Sequence, residues 1–467
     1  MEDYLQKILR ARVYDVAIES PLERAKRLSN RLKNNVWLKR EDLQPVFSFK
    51  LRGAFNRMSK LNFKELKKGV VAASAGNHAQ GVALSASYLK CKALIIMPIT
   101  TPKVKVMAVK ALNAEVMLHG ETYDEAYQEA KRISQKDGLV FIHPFDDPEV
   151  IAGQGTIALE ILRQMESPPD AIYVAVGGGG LIAGIASYVK SLWPTVKIIG
   201  VEPNEAAAMT KSLEKGSRIE LKDIGLFADG VAVNKVGENT FEIAKKYVDY
   251  MVTVSTDEIC AAIKDVFEDT RSILEPAGAL AIAGLKSDAE NRKLKSQDLV
   301  AIACGANMNF ERLRFVAERA ELGEKKEAMI AIEITEKAGS LKELCKLLGK
   351  RSLTEFSYRM SEGNSAHIFM GIELENKHDR SDLLKSFKEA KIKCIDLSED
   401  ELSKVHLRHM VGGRLPSASN ILSNGLYKEM LYRFEFPERP GALMRFVNKM
   451  RPEWSISIFH YRNHGAD

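Results

Sequence analysis

The sequence predicts an α/β region with parallel sheets covered on both faces, followed by ferredoxin-like α+β modules. Three observations carry this. Short apolar runs alternate with longer amphipathic stretches from about Val36 to Gly305, loops rich in glycine or bearing a lysine fall at the ends of those runs, and a repeated pattern begins after Leu322.

The runs Val70-Val71-Ala72-Ala73, Ala93-Leu94-Ile95-Ile96-Met97, Ala114-Glu115-Val116-Met117-Leu118, Ala171-Ile172-Tyr173-Val174-Ala175-Val176, Lys197-Ile198-Ile199-Gly200-Val201 and Leu299-Val300-Ala301-Ile302-Ala303 are expected to be fully buried strands. Continuous apolar strands separated by helices mean a parallel sheet. In such sheets ligands bind beyond the carboxyl ends of the strands, so a site assembled from several loops is expected. After Leu322 the pattern changes. Residues 329–341 (MIAIEITEKAGSL) and 430–443 (MLYRFEFPERPGAL) share a plan of alternating strand, charged turn with Gly339 or Gly441, and amphipathic helix. Each leads to a second strand carrying Phe356-Ser357-Tyr358-Arg359 or Phe459-His460-Tyr461-Arg462. The first copy continues through a third strand, a second helix and a fourth strand, which makes a β-α-β-β-α-β unit. The second copy stops at Asp467, so the expectation is a half-module with an unpaired edge, in a truncated chain or one completed by a partner. The expected domains are 1–322 (with a small subdomain at about 48–145), 327–400, and an incomplete 425–467.

With 467 residues, 45% hydrophobic and 28% charged, the chain reads as a soluble protein of several cores. Its 68 basic and 62 acidic residues are interspersed, which argues against a nucleic-acid partner. Five scattered cysteines without a C-x-x-C pair argue against zinc and disulfides and for a reducing compartment, here the cytoplasm. No stretch reaches the ~20 apolar residues of a membrane span.

Two loops point to chemistry. Lys50, in Ser48-Phe49-Lys50-Leu51-Arg52-Gly53, lies among apolar and small residues, where burial lowers an amine's pKa and makes it a nucleophile and a base. Gly177-Gly178-Gly179-Gly180 follows a buried strand and opens a helix, and backbone N–H groups there suit an anion. Together an amine and a phosphate cradle suggest pyridoxal phosphate. A second reading stands beside it. Gly178-x-Gly180-x-x-Ala183, with Glu202 about 20 residues on, fits the dinucleotide fingerprint of an NAD-linked oxidoreductase. That reading leaves Lys50 and the loop Ser74-Ala75-Gly76-Asn77-His78-Ala79-Gln80-Gly81 without a task. Taken singly the signals are weak, since lysines snorkel, Ser74 or Asn77 can cap a helix, and Cys304 after the last buried run can be simple packing.

In this order the motifs resemble the pyridoxal-phosphate fold-type II family, in particular its biosynthetic threonine dehydratases. The resemblance rests on residues 48–53 and 74–81, His143-Pro144-Phe145-Asp146, Ala152-Gly153-Gln154-Gly155-Thr156, the four glycines with Leu181, residues 225–233, and Glu275-Pro276-Ala277-Gly278-Ala279. The C-terminal repeat is similar to the paired ACT-like regulatory modules of that family. The resemblance implies that Lys50 holds the cofactor as a Schiff base, Asn77 bonds its ring oxygen, Gly177 to Gly180 and Leu181 bind its phosphate, and Cys304 meets its pyridine nitrogen. Ser74, Gly76 and His78 would receive the substrate carboxylate. Racemases of the family carry serine where Ala75 stands, and a cation site where Ala206 and Ala208 stand, so elimination rather than racemisation is implied, with no metal. The implied reaction converts L-threonine, and less well L-serine, to the 2-oxo acid and ammonia, the first step of isoleucine biosynthesis. A homotetramer inhibited by isoleucine and relieved by valine is also implied. Tyr358 and Tyr461, repeated in both modules, are the expected effector residues, and the incomplete second module is expected to weaken that control.

Overall fold

The computed structural model describes residues 4–310, 312–323, 327–335, 339–349, 351–361, 365–374, 379–400, 446, 449 and 458–462. The chain divides into two compact units, Met1–Ala320 and Glu321–Asp467. The strands of the first unit are β1 (Leu22–Arg24), β2 (Asn35–Arg40), β3 (Val70–Ala73), β4 (Ala93–Met97), β5 (Glu115–Leu118), β6 (Val140–Phe141), β7 (Ala171–Ala175), β8 (Lys197–Pro203), β9 (Tyr250–Val254) and β10 (Asp298–Ala303). They form a six-stranded sheet ordered β1-β2-β10-β7-β8-β9 and a four-stranded sheet ordered β5-β4-β3-β6. All pairs are parallel except β1 with β2, so only that edge departs from the parallel expectation.

The small sheet shows how the apolar runs work. Val70, Ala72, Ile95 and Met97 pack on one face with Ala79, Val82 and Ala83 of the helix Asn77–Leu89. Val71, Ala73 and Ile96 pack on the other with Ala126, Ala130 and Ile133 of the helix Tyr123–Asp137. Alternate residues of one run thus feed two cores, which requires unbroken apolarity. The run at 114–118 departs from its expectation. As the edge strand β5 it has one neighbour, and Glu115, Met117 and Leu118 are exposed. An apolar run reads alike at the centre and at the edge of a sheet, and only strand order separates them.

Helix ends follow the local chemistry. Thr122 with Glu125 and Ser255 with Glu258 form reciprocal capping boxes, and Asp147 caps a helix with proline in its first turn. The glycines of residues 152–156 serve packing. A Cβ on Gly153 would lie 2.6 Å from the Arg52 carbonyl oxygen and 2.7 Å from the Gly53 Cα, so the helices Lys50–Met58 and Pro148–Gln164 touch backbone to backbone. That contact fixes the helix on which Lys50 stands.

In the second unit the strands are β11 (Glu327–Thr335), β12 (Leu353–Ser361), β13 (Ser365–Glu373), β14 (Lys393–Asp396) and β15 (Ile458–Arg462), ordered β14-β11-β13-β12-β15. With the helices Ser340–Leu348 and Asp379–Glu389 the first four strands complete the β-α-β-β-α-β plan. The strand of the second repeat is not left unpaired, because β15 lies antiparallel along β12. Ser357 faces His460, its own equivalent in the repeat. The edge that the sequence left open is therefore used within the chain. Residues 430–443, with the loop at Gly441, lie outside the described residues.

Candidate active site

The chemistry-bearing loops meet at the carboxyl ends of β7, β10 and β3. One cavity is lined by Lys50, Asn77, Gly177 to Gly180, Leu181 and Cys304, together with Phe145 and Glu275. The parallel topology brings these loops together, since every strand of both sheets that carries one points the same way relative to its own sheet neighbours.

Lys50 is the first residue of its helix and half-buried. Its Nζ donates to the Pro144 carbonyl oxygen at 2.9 Å and sits 5.4 Å from the centre of the Phe49 ring. Burial draws its pKa down to about 8, against the opposing pull of the Glu275 carboxylate. The loop before it is held from outside. Asn307 Nδ2 donates to the Val46 carbonyl at 2.9 Å, and Ala306 N–H donates to the Phe47 carbonyl at 2.9 Å. Phe47 takes a φ of 54°, a conformation that a bulky residue adopts only when its surroundings impose it.

Within the glycine run Gly179, the residue before the helix Gly180–Leu192, takes a φ of 94°. Side chains are excluded along it. A Cβ on Gly177 would meet the Val231 backbone at 2.9 Å, one on Gly178 the Phe145 ring at 2.3 Å, and one on Gly180 the Phe145 carbonyl at 2.9 Å. Among the described residues the N–H groups from Gly177 to Ile182 meet no acceptor. Six donors in a row at a helix N-terminus make a site for an anion.

The tetrapeptide His143 to Asp146 ties these parts together. His143 Nδ1 accepts the N–H groups of Phe145 (3.2 Å) and Asp146 (2.8 Å), and burial lowers its pKa to about 4. Phe145 packs on the glycines, while the Asp146 carboxylate caps the helix Glu238–Tyr247 through the N–H groups of Glu238 and Thr240.

Asn77 opens its helix with Nδ2 donating to Glu275 Oε1 at 2.5 Å and Oδ1 accepting from Asn307 Nδ2 at 2.7 Å. Ser74 Oγ accepts the Gly76 N–H at 3.2 Å. The N–H groups of Asn77, His78 and Ala79 find no acceptor among the described residues. The His78 ring is turned elsewhere. Its Nε2 lies 2.9 Å from the Ile142 carbonyl, which places the ring proton there and leaves Nδ1 a buried acceptor without a partner. Burial lowers its pKa to about 3, so the ring is neutral and offers no cation to a carboxylate. Cys304 Sγ–H donates to the Ala277 carbonyl at 3.2 Å, and burial pushes the thiol up, keeping it protonated.

Sequence reasoning missed Glu275, Pro144, Phe145 and Asn307 as parts of this site. The first three were visible only as members of motifs, and nothing local marks Asn307. Tyr358, by contrast, is buried in the core of the second unit, and Tyr461 stands on β15 opposite Phe356.

The dinucleotide reading fails at Glu202. That carboxylate is buried and accepts the N–H groups of Met209 and Thr210 at 2.8 Å each and the Thr210 hydroxyl at 2.6 Å. It caps a helix and has no freedom to take a ribose. No group of metal-ligating side chains occurs among the described residues, and no helix among them is long and apolar enough to cross a membrane.

Residues 13–305 match the family of pyridoxal-phosphate dependent enzymes, and residues 318–407 and 423–467 match the C-terminal regulatory domain of threonine dehydratase. The chain is 57% identical to the biosynthetic L-threonine dehydratase of Burkholderia multivorans, over 100% of this chain and 91% of that protein. It is 48% identical to that of Escherichia coli, over 100% and 89%. The processed form of threonine deaminase isoform 2 from Solanum lycopersicum superimposes with a TM-score of 0.67 at 56% identity, covering 68% of this chain and 92% of that one. None of these supports an NAD-linked oxidoreductase. The chain belongs to the pyridoxal-phosphate-dependent enzymes, within the biosynthetic threonine dehydratases.

Proposed function

We propose that this enzyme deaminates L-threonine to 2-oxobutanoate and ammonia, with L-serine as a poorer substrate, at the start of isoleucine biosynthesis. The observation that carries this reading is the desolvated amine of Lys50 sharing one cavity with the open N–H groups of residues 177–181. Pyridoxal phosphate fits these groups. The row suits its phosphate, the free second N–H of the Asn77 amide suits its ring oxygen, and the Lys50 amine suits its aldehyde.

When bound, the cofactor supplies a sink for the electron pair left on the substrate α-carbon. The chain's own residues do the rest. Lys50 Nζ would hold the cofactor aldehyde and, as a free neutral amine, would take the substrate α-proton. Cys304, buried and protonated, would face the cofactor ring as a neutral group and bring no negative charge to it. Phe49, Phe145 and Leu181 line the cavity with apolar surface and limit water. The substrate carboxylate falls to the Ser74 hydroxyl and the open N–H groups of Asn77 to Ala79, with Gly76 letting it approach. His78 contributes its backbone rather than its ring.

Gly179→Ala is expected to weaken cofactor binding by about tenfold or more. The substitution places a side chain at a φ of 94° and a Cβ 2.8 Å from Met209 and Thr240. Equilibrium titration of the apoprotein with pyridoxal phosphate checks this.

We propose residues 1–322, with the small subdomain at about 48–145, as the catalytic domain, and 327–400 and 425–467 as regulatory modules. Isoleucine is the proposed inhibitor and valine its antagonist, in a homotetramer. Tyr358 and Tyr461 shape the effector region, Tyr358 from within the core. The five free thiols fit the reducing cytoplasm. Isoleucine added to the full chain is expected to lower turnover, and valine to restore it. Unchanged rates across an isoleucine titration would remove this assignment.

The function itself is tested by the absorption spectrum. Purified enzyme should show a cofactor band that changes on adding threonine, with 2-oxobutanoate released. If NAD(H) stabilises the protein and pyridoxal phosphate does not, the reading is wrong.

A further inference from the structure

Glu275 has no part in the chemistry above, yet it is the only acid among the described residues that line the cavity. It precedes the helix Pro276–Asn291 at the capping position, but its side chain makes no cap bond. The carboxyl crosses to Asn77 in the other lobe, 198 residues away in sequence. Gly305 makes room for it, since a Cβ there would lie 2.2 Å from Glu275 Oε1.

The bonds around Asn77 leave one orientation for its amide. Asn307 Nδ2 donates to the Val46 carbonyl, an acceptor that cannot flip, so the same nitrogen also donates to Asn77 Oδ1. Asn77 Nδ2 therefore faces Glu275. A flipped Asn77 would set its oxygen against the carboxylate and its nitrogen against the Asn307 nitrogen.

We infer that Glu275 is a positioning residue: it locks the Asn77 amide with one N–H left for the cofactor ring. Because the carboxyl lines the same cavity as Lys50, its negative charge also favours the ammonium form of that amine. This rests on the pyridoxal-phosphate reading. The charged and titratable groups around the carboxyl are Lys50, Cys304, Asp229, Lys105 and Arg312. Burial pushes Glu275 up to about 7, opposed by the Asn77 bond, so its charge changes in the working range.

Two variants separate the two effects. Glu275→Gln keeps an acceptor for Asn77 and removes the charge, whereas Glu275→Ala removes both. In the apoprotein, the rate at which pyridoxal phosphate forms its imine with Lys50 should rise with pH as the amine becomes neutral. Loss of a neighbouring negative charge disfavours the ammonium, so the midpoint should move down by about one pH unit in Glu275→Gln. Equilibrium affinity for the cofactor should stay within about twofold in Glu275→Gln and fall about tenfold in Glu275→Ala, the worth of one charge-assisted bond. An unmoved midpoint in a folded Glu275→Gln protein, or wild-type affinity in Glu275→Ala, overturns the inference. A wild-type protein that forms no imine on Lys50 instead overturns the cofactor reading.

Discussion

Lys50→Ala is expected to lower threonine turnover by at least about 10³-fold while leaving a folded protein that still takes up pyridoxal phosphate loosely. The side chain has two tasks, as covalent anchor and as base, and the loss of a positioned base alone is worth roughly 10²–10⁴. Its backbone is held by other means, namely the helix contact at Gly53 and Gly153 and the two bonds from Ala306 and Asn307 to the loop before it. The loss should therefore fall on kcat. Lys50→Arg should not rescue it, because a guanidinium stays charged and can serve neither as nucleophile nor as base. The pH dependence follows from the amine. With its pKa drawn down to about 8 by burial, the released amine is neutral above that value. Turnover should rise toward pH 8 and level off beyond it, whereas an amine at the ordinary 10.5 would keep gaining rate well above pH 9. Steady-state rates across pH check both points.

Arg52→Ala is expected to destabilise the first unit by about 3–5 kcal/mol, the cost of leaving buried charges unpaired. Arg52 is fully buried two residues past Lys50. Its guanidinium grips the Glu41 carboxylate at 2.7 and 2.8 Å and the Glu160 carboxylate at 2.5 and 3.0 Å, and reaches Thr156 Oγ1 at 3.1 Å. Lys39 Nζ adds a contact to Glu160 at 2.7 Å. Without Arg52 two buried carboxylates are left with one ammonium, that of Lys39, which contacts Glu160. Arg52→Lys should recover only part of the loss, since one ammonium cannot fork between two carboxylates. Burial alone would raise Glu160, but Arg52 and Lys39 hold it below the usual carboxylate range. A depressed folded pKa gives stability that is present above the unfolded value of about 4.5 and is lost as pH falls through the folded one. The gap between wild type and Arg52→Ala should therefore be full at neutral pH and narrow below about pH 4.5. Urea unfolding at both pH values measures it.

The pattern of apolar runs made the parallel sheets legible, because a strand covered on both faces has no polar position to spare. The glycine run and Lys50 were legible for a similar reason, since a tight approach to an anion and a desolvated amine each leave a local signature. What stayed hidden depends on partners far apart in the chain. Glu275 looks like any acid before a helix until Asn77 arrives from far along the chain, and it was legible only as the first residue of a motif. His78 was grouped with the carboxylate-binding loop, but its ring is occupied by Ile142. The exposure of β5 depends on strand order and the pairing of β15 on an edge, and neither is written in the local residues. Arg52, read as a neighbour of the lysine, proves to be the centre of a buried ionic cluster.

The most direct test is to reduce the holoenzyme with borohydride, digest it, and find which peptide carries the cofactor. Label on the single peptide containing Lys50 is the expected result. Label on any other lysine, with Lys50 unmodified, would contradict the site described here.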